Sequence, residues 1–273
     1  MKKIAFIGAG NMGGALIVGT SKAIGGENVV IYDTDSAKCS ALQEKTGCVT
    51  AQSAVEASRR AEYVVLAVKP QIIKSVLDEI RPDMISRAGS VGQKLVSIAA
   101  GVTVDSLSQP FREAGCDIPV VRMLPNTPCE IGQGLIIYCS NDKADSGVCG
   151  EIDSMFARCG MVEHISEGVL DIASAISGCT PAFAYMFIEA LADGAVRSGL
   201  PRDKAIAYAA QAVMGSAAMV LETGRHPDAL KDAVCSPGGS TIVGVATLED
   251  SAFRAAAANA VFNANEKNKS LGK

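Results

Sequence analysis

The stretch "IAFIGAGNMGGA" (residues 4–15) decides how this chain folds. Gly8, Gly10 and Gly13 stand in G-x-G-x-x-G spacing. The β-rich run "KIAFIG" (3–8) comes before them, and "NMGGALIVGTSKAI" (11–24) follows, where Met12, Ala15, Leu16 and Ile24 suit one helix face. In a strand–turn–helix setting Gly8 permits the tight turn, Gly10 lets backbone approach a pyrophosphate, and Gly13 allows the helix to pack closely on the strand. The helix start adds free N–H groups and the positive end of its dipole. Gly8, Ala9, Gly10, Asn11, Met12 and Gly13 are therefore expected to bind a dinucleotide, against the simpler reading of a glycine-rich turn.

The next run, "NVVIYD" (28–33), ends on Asp33, whose carboxylate can accept hydrogen bonds from the adenine ribose hydroxyls and would repel a 2′-phosphate. "YDTDSAK" (32–38) holds no arginine to grip that phosphate, although Lys38 is close, so NADH is favoured over NADPH. Alternatively, Asp33 or Asp35 caps a helix beginning near Ser36.

Further strands are read at "YVVLAV" (63–68), "KLVSIAA" (94–100) and "VVRML" (120–124), with a helix at "PQIIKSVLDEI" (70–80) opened by its proline. "GLIIYC" and "MVEHIS", flanking a helix near 143–159, add edge strands. The alternation predicts an α/β, Rossmann-like dinucleotide-binding domain over residues 1–165, built on a parallel sheet. Ligands of such sheets gather beyond the carboxyl ends of the strands. Val68, Lys69 and Pro70, and Ala99, Ala100 and Gly101, are accordingly expected beside the cofactor, with Lys69 equally readable as a solvated lysine next to a helix-initiating proline. "RMLPNTP" (122–128) forms a rigid turn presenting Asn126 and Thr127 to a cleft, or an ordinary Asx-type turn.

From about residue 167 alanine dominates, and an all-helical domain is predicted over 166–273, with breaks at 177–181, 198–201, 223–227 and 235–241, while Pro181 itself reads as the kink of a helix. Small residues on several helix faces suit a close interface between subunits, or an ordinary buried core. "AIAYAAQAVMGSAAMVL" (205–221) is the nearest thing to a membrane span, but Gln211 and Ser216 interrupt it and it reads as a buried helix. The last break, "CSPGGST" (235–241), puts flexible backbone before a helix start: an anion site, or a loop whose Ser240 or Thr241 caps the helix.

Composition limits the function. With 48% hydrophobic and 20% charged residues in 273, the chain can bury a sizeable core. A net charge of −4 without a basic block gives no footprint for nucleic acid or an anionic membrane and favours a small-molecule partner. Nine cysteines without a C-x-x-C pair, and histidines only at 164 and 226, provide no metal site. Reduced thiols suit a cytoplasmic protein, and the N-terminus lacks the apolar core of a signal peptide.

Taken in order, "FIGAGNMGGA", "LAVKPQ", "SIAAGVT", "RMLPNTP", "ISGCTPAF", "AAQAVMGSA", "HPDALKDAVCSPGGSTI" and "FRAAAANA" resemble segments of the pyrroline-5-carboxylate reductases over nearly the whole chain. The resemblance implies reduction of the cyclic imine 1-pyrroline-5-carboxylate to L-proline, the last step of proline biosynthesis, with hydride from NADH or NADPH. It also implies a homodimer built on the C-terminal helices, often assembled further into a decamer. Gly238, Gly239, Ser240 and Thr241 would hold the substrate carboxylate, Thr241 would be the catalytic residue that orients the imine, and Ser177 and Thr180 would line the nicotinamide side. Asn126 and Lys69 match family positions beside the cofactor.

The chain departs from the family pattern at Cys179, Thr180 and Phe183, where Ser, Gly and Tyr are usual, at Leu124 in place of Met, and at Asp33 and Thr34, where many members carry an Arg or Ser pair. Two rival readings fit the sequence less well. A 3-hydroxy-acid dehydrogenase needs a lysine ahead of an Asn in the helical domain, and neither Lys204 nor Lys231 sits in such a pattern. A non-catalytic dinucleotide-binding paralogue should have lost the intact "SPGGST".

Overall fold

The strands follow the apolar runs. In the computed structural model, which describes residues 2–271, β1 (Lys2–Ile7), β2 (Val29–Tyr32), β3 (Val49–Thr50), β4 (Ala61–Leu66), β5 (Lys94–Ser97) and β6 (Val120–Leu124) pair in parallel. With β7 (Gly134–Ser140) and β8 (Gly160–His164) they make one sheet in the order β3-β2-β1-β4-β5-β6-β7-β8. β1 is an interior strand, covered on both faces: Ile4 and Phe6 enter one core, Ala5 and Ile7 the other, as a two-residue period requires. β7 runs antiparallel to β6 and β8 parallel to β7. β6 ends at Leu124 and β7 starts at Gly134, with a 3-10 helix over Thr127–Ile131 between them, less chain than the dozen or so residues a parallel crossover takes.

The helices between the strands are α1 (Asn11–Ile24), α2 (Ser36–Thr46), α3 (Ala54–Arg59), α4 (Pro70–Val91), α5 (Val104–Arg112) and α6 (Ser146–Phe156). α1 and α6 pack Leu16, Ile17, Ile152 and Phe156 on one sheet face; α4 and α5 pack Ile80, Met84, Leu107 and Phe111 on the other. The sequence reading stopped α4 near residue 80, yet Ile73, Leu77, Ile80 and Met84 carry one buried face through Pro82. α5 escaped that reading although Val104, Leu107, Ser108 and Phe111 form a helical stripe behind the Thr103 cap. β3, at two residues, was too short to leave a pattern.

The last strand ends at His164, and among the described residues only helices follow: α7 (Glu167–Arg197), α8 (Arg202–Thr223), α9 (Pro227–Val234), α10 (Ser240–Asp250) and α11 (Phe253–Leu271). The chain forms two compact units. One runs up to Gly178 and includes the chain from Ala264 onward; the other is Cys179–Asn263. In the first, Arg122 on β6 is buried and ties the start of α7 to the sheet, pairing with Glu167 at 3.2 Å and Asp171 at 2.7 Å. All nine cysteines are free thiols.

Two expectations fail in the helical part. The break at 177–181 does not exist, because α7 runs unbroken through Pro181. Proline has no N–H for the carbonyl four residues back, here that of Ser177. Asn126 supplies the missing donor, its Nδ2 donating to that carbonyl at 2.9 Å, so the helix continues without a buried unsatisfied oxygen. Likewise, 205–221 is not a buried helix: among the residues of α8 only Ala205 is buried, and Tyr208, Met214 and Leu221 are well exposed. By length and composition alone, α7 and α8 could each cross a membrane.

Candidate active site

The turn after β1 is shaped by contacts only glycine can make. Gly8 has φ +111° and donates its N–H to the Tyr32 carbonyl at 2.8 Å; a Cβ there would lie 2.3 Å from the Ala67 carbonyl oxygen. A Cβ on Gly13 would lie 2.4 Å from the Gly8 carbonyl oxygen. Gly10 differs: a Cβ there would meet nothing within 4 Å, so its missing side chain leaves open space in front of α1. Gly10 is the N-cap of that helix and has no side chain to give it, so the first-turn N–H groups have neither an intrahelical acceptor nor a cap.

That open space belongs to a cavity of about 850 Å³ beyond the carboxyl ends of β1, β2 and β4. Of the residues expected from sequence, the cavity gathers Gly8, Gly10, Asn11, Met12, Gly13, Asp33, Val68, Lys69 and Pro70. Ala9 does not line it; its N–H donates to Asp33 Oδ2 at 2.7 Å, fastening the glycine loop to the end of β2. The other carboxylate oxygen of Asp33 accepts from the Asp35 N–H at 2.9 Å. Helix capping falls to Asp35 instead, which accepts from the Ala37 N–H at 3.1 Å and pairs with Lys38 at 3.4 Å. Lys38 is thereby occupied, and among the described residues Lys69 is the one cation lining the cavity.

Ala99, Ala100 and Gly101 follow β5 but do not line this cavity, where Ile98 stands in their place. Asn126 is also away from it, buried and held at both ends of its amide: besides the bond to Ser177, its Oδ1 accepts from the Leu135 N–H at 2.8 Å. Ser177 is buried beside it. Sequence reading missed Thr34, Ala54 and a stripe of α4, Ile72, Ser75, Val76 and Glu79. The stripe was findable, since i, i+3, i+4, i+7 is one helix face and this one starts just past the β4 strand end. A second cavity of about 620 Å³ is lined by Lys3, Asn28 and Glu151, but there the charges satisfy one another, with Lys3 and Glu151 at 2.9 Å.

"CSPGGST" repeats the arrangement at Gly10. Ser240 and Thr241 are the first helical residues of α10, not its cap; the N-cap is Gly239, and no side chain closes the first turn. Gly238 takes φ +70°, and the Gly239 N–H turns back to the Ser236 carbonyl at 3.0 Å. The first-turn N–H groups of α10 therefore stay open to an anion. By contrast α2, α3, α5, α6 and α9 are all closed by a side chain, from Asp35, Ser53, Thr103, Asp145 and His226, while α4 and α8 are uncapped but start behind Lys69 and Pro201 rather than a glycine. At the other end of the α9–α10 hairpin, Arg254 bridges Asp228 at 3.1 Å and Glu249 at 2.6 Å.

The pyrroline-5-carboxylate reductase of Escherichia coli (strain K12) is 42% identical over 275 residues, covering 100% of this chain and 99% of the relative. The chain belongs to the pyrroline-5-carboxylate reductase family. Two domain families also match, "Pyrroline-5-carboxylate reductase dimerisation" over residues 167–271 and "NADP oxidoreductase coenzyme F420-dependent" over residues 3–101. Among solved pyrroline-5-carboxylate reductases, the Coxiella burnetii structure has a TM-score of 0.90 at 31% identity, covering 100% of this chain and 99% of that one. The Plasmodium falciparum structure, with NADP bound, has a TM-score of 0.85 at 36% identity and covers 100% and 98%. The architecture is that of the family: a Rossmann-like parallel-sheet domain followed by a helical domain.

Proposed function

We propose that the protein reduces 1-pyrroline-5-carboxylate to L-proline, using a reduced nicotinamide dinucleotide and preferring NADH to NADPH. The observation that carries this reading is the pair of glycine-headed, uncapped helix starts, one facing the cavity beside Asp33 and one behind the Pro-Gly-Gly turn. Each suits one anion: a pyrophosphate at α1, a carboxylate at α10. The open space over Gly10 fits a dinucleotide phosphate where any side chain would exclude it. The bound cofactor supplies hydride to the imine carbon.

The roles divide as follows. Gly8 through Gly13 grip the pyrophosphate, and Asp33, already fixed by two backbone N–H groups, keeps acceptor capacity for the ribose hydroxyls. Its charge, with Lys38 paired elsewhere, disfavours a 2′-phosphate. Val68, Lys69 and Pro70 flank the cofactor within the cavity, and Ala99, Ala100 and Gly101, outside it, follow the neighbouring strand β5. Asn126 acts at one remove, by holding α7 at Ser177. Gly238, Gly239 and Ser240 bind the substrate carboxylate through backbone N–H groups. Thr241 orients the ring nitrogen through its hydroxyl. A protonated imine is already a strong electrophile, so the chain needs positioning more than strong acids or bases.

The residues from 166 onward serve as a substrate-binding and dimerisation domain, with a second copy covering the exposed apolar faces of α7 and α8. Such surface on a lone chain calls for a partner, and the dimerisation family matched over 167–271 supports another copy of this chain rather than a lipid phase. Free thiols throughout suit the cytoplasm.

The test is a paired assay of the purified protein with pyrroline-5-carboxylate and either NADH or NADPH, with light-scattering mass to count subunits. NADH oxidation should exceed NADPH oxidation. Thr241→Ala should lower turnover about thirtyfold while leaving NADH affinity within twofold, roughly 2 kcal/mol lost from the transition state alone. If neither cofactor is oxidised by protein that binds NADH, the enzyme reading fails.

A further inference from the structure

Helix α4 carries three carboxylates, and two are occupied. Asp78 pairs with Lys74 at 2.7 Å and Arg81 at 3.7 Å, and Asp83 pairs with Arg59 at 2.7 Å. Glu79 has no partner among the described residues, and it is the one of the three that lines the cavity. It ends the stripe Ile72, Ser75, Val76, Glu79, so the helix turns an apolar wall and then a bare carboxylate toward the same space.

The cavity is thus polarised. Lys69 stands at the N-cap of α4, beside the strand ends, while Glu79 lies ten residues further along, about 15 Å by helix rise. A carboxylate only accepts hydrogen bonds. Whatever meets Glu79 must donate, and a phosphate or carbonyl oxygen there would be repelled. Ile72, Val76 and Ala54 give the apolar contact that a flat ring needs. Both ring ends of a nicotinamide dinucleotide offer a flat face and an amine donor, and Asp33, read above as the acceptor for the adenine ribose, lines the same cavity as Glu79, so the ring beside Glu79 is the adenine.

We infer that Glu79 reads the adenine base of the bound dinucleotide, its carboxylate accepting a hydrogen bond from the 6-amino group. The inference rests on the reading of this cavity as the dinucleotide site and adds a specificity determinant to it. Glu79 selects for adenine over a 6-oxo purine, and its charge adds to that of Asp33 against further phosphate.

Calorimetric titration of the full-length protein with NADH, and with the analogue carrying hypoxanthine in place of adenine, tests this without turnover. The wild-type protein should bind NADH about tenfold more tightly than the analogue, the scale of one hydrogen bond to a charged acceptor. In Glu79→Gln the amide can donate to the 6-oxo group as well as accept from the amine, and the ratio should fall to about one. Glu79→Ala should give the same ratio, with NADH affinity reduced to that of the analogue. Asp33→Asn serves as control, since it should weaken both ligands alike and leave the ratio at its wild-type value. An unchanged ratio in both Glu79 variants, with NADH still bound, overturns the inference alone. No NADH binding by the wild-type protein overturns the dinucleotide site and the inference together.

Discussion

α1 and α10 begin in the same way, behind a glycine N-cap in extended conformation and with no side chain over the first turn, yet the two starts are built differently. At α1 the glycines are locked by backbone: Gly8 against Ala67 and Gly13 against Gly8, with only Gly10 facing open space. At α10 nothing comparable surrounds the loop. A Cβ on Gly238 would meet nothing within 4 Å, and one on Gly239 would meet the Ser236 hydroxyl, the end of a short side chain that can rotate away, with its nearest backbone atom, the Ser236 carbonyl oxygen, at 3.2 Å rather than 2.3 or 2.4 Å. The first start is part of the sheet packing; the second is a loop whose glycines serve conformation and access. Substitution should therefore cost stability at one and binding at the other.

The largest effect should come from Gly13→Ala. The new methyl would lie 2.4 Å from the Gly8 carbonyl oxygen, and neither strand nor helix can move away without loosening the core. We expect about 3 kcal/mol of lost stability, seen as a lower midpoint in urea. Gly239→Ala, by the same assay, should stay within about 1 kcal/mol of wild type. Equal losses at the two sites would erase the distinction drawn between them. Gly10→Ala comes next and separates the two roles within the first loop. With nothing within 4 Å of the added methyl, the fold should be unaffected, while NADH affinity should fall about a hundredfold, near 2.7 kcal/mol, because the methyl takes the phosphate's space. Fluorescence titration of NADH, with thermal melting as the control, measures both.

The same contrast explains what could be read from sequence. The first half was legible because β1, β2, β4, β5 and β6 are apolar runs buried on both faces, and because the glycine spacing carries its own geometry. Asp33 was found by its place at a strand end, but its bonds to Ala9 and Asp35 are tertiary and leave no local pattern. Reading 177–181 as a break failed for the same reason: local sequence shows the donor that Pro181 lacks, while the group that replaces it lies 55 residues earlier, at Asn126. In the helical half, burial was misjudged at α8. Alanine-rich periodicity says that a face is apolar and is silent on whether this chain or another covers it.

Asn126 and Ser177 supply the third test, because there the chain does the opposite of what it does at α1 and α10. Where backbone groups are left open, no side chain closes them; where Pro181 strips a donor inside the fold, a side chain takes its place. Asn126→Ala would orphan both the Ser177 carbonyl and the Leu135 N–H, and we expect a loss of about 2 kcal/mol. Adding Pro181→Ala returns an N–H to the Ser177 carbonyl and should recover about half of that, since Leu135 stays unpaired. In the wild-type background Pro181→Ala should gain less, because Asn126 already serves that carbonyl. If urea denaturation shows the same gain in both backgrounds, the repair of α7 by Asn126 is disproved.

The smallest effect should come from the far end of the α9–α10 hairpin. Asp228 in the first turn of α9 and Glu249 in the last turn of α10 both reach Arg254, so one guanidinium closes the open ends of the two helices whose other ends carry the Pro-Gly-Gly turn. All three side chains are half exposed, and pairs of that kind are weak singly and screened by salt. α10 is eleven residues long, which puts the bracket about 16 Å from the first-turn N–H groups. Arg254→Gln should accordingly leave NADH affinity unchanged and raise KM for the imino acid only about threefold, with kcat nearly intact. Asp228→Asn should do the same, and the two together should cost no more than either alone, because they remove one bracket. Additive effects, or a fall in kcat as large as the rise in KM, would mean that Arg254 acts on the chemistry directly. The loop would then depend on more than its own backbone to hold a carboxylate.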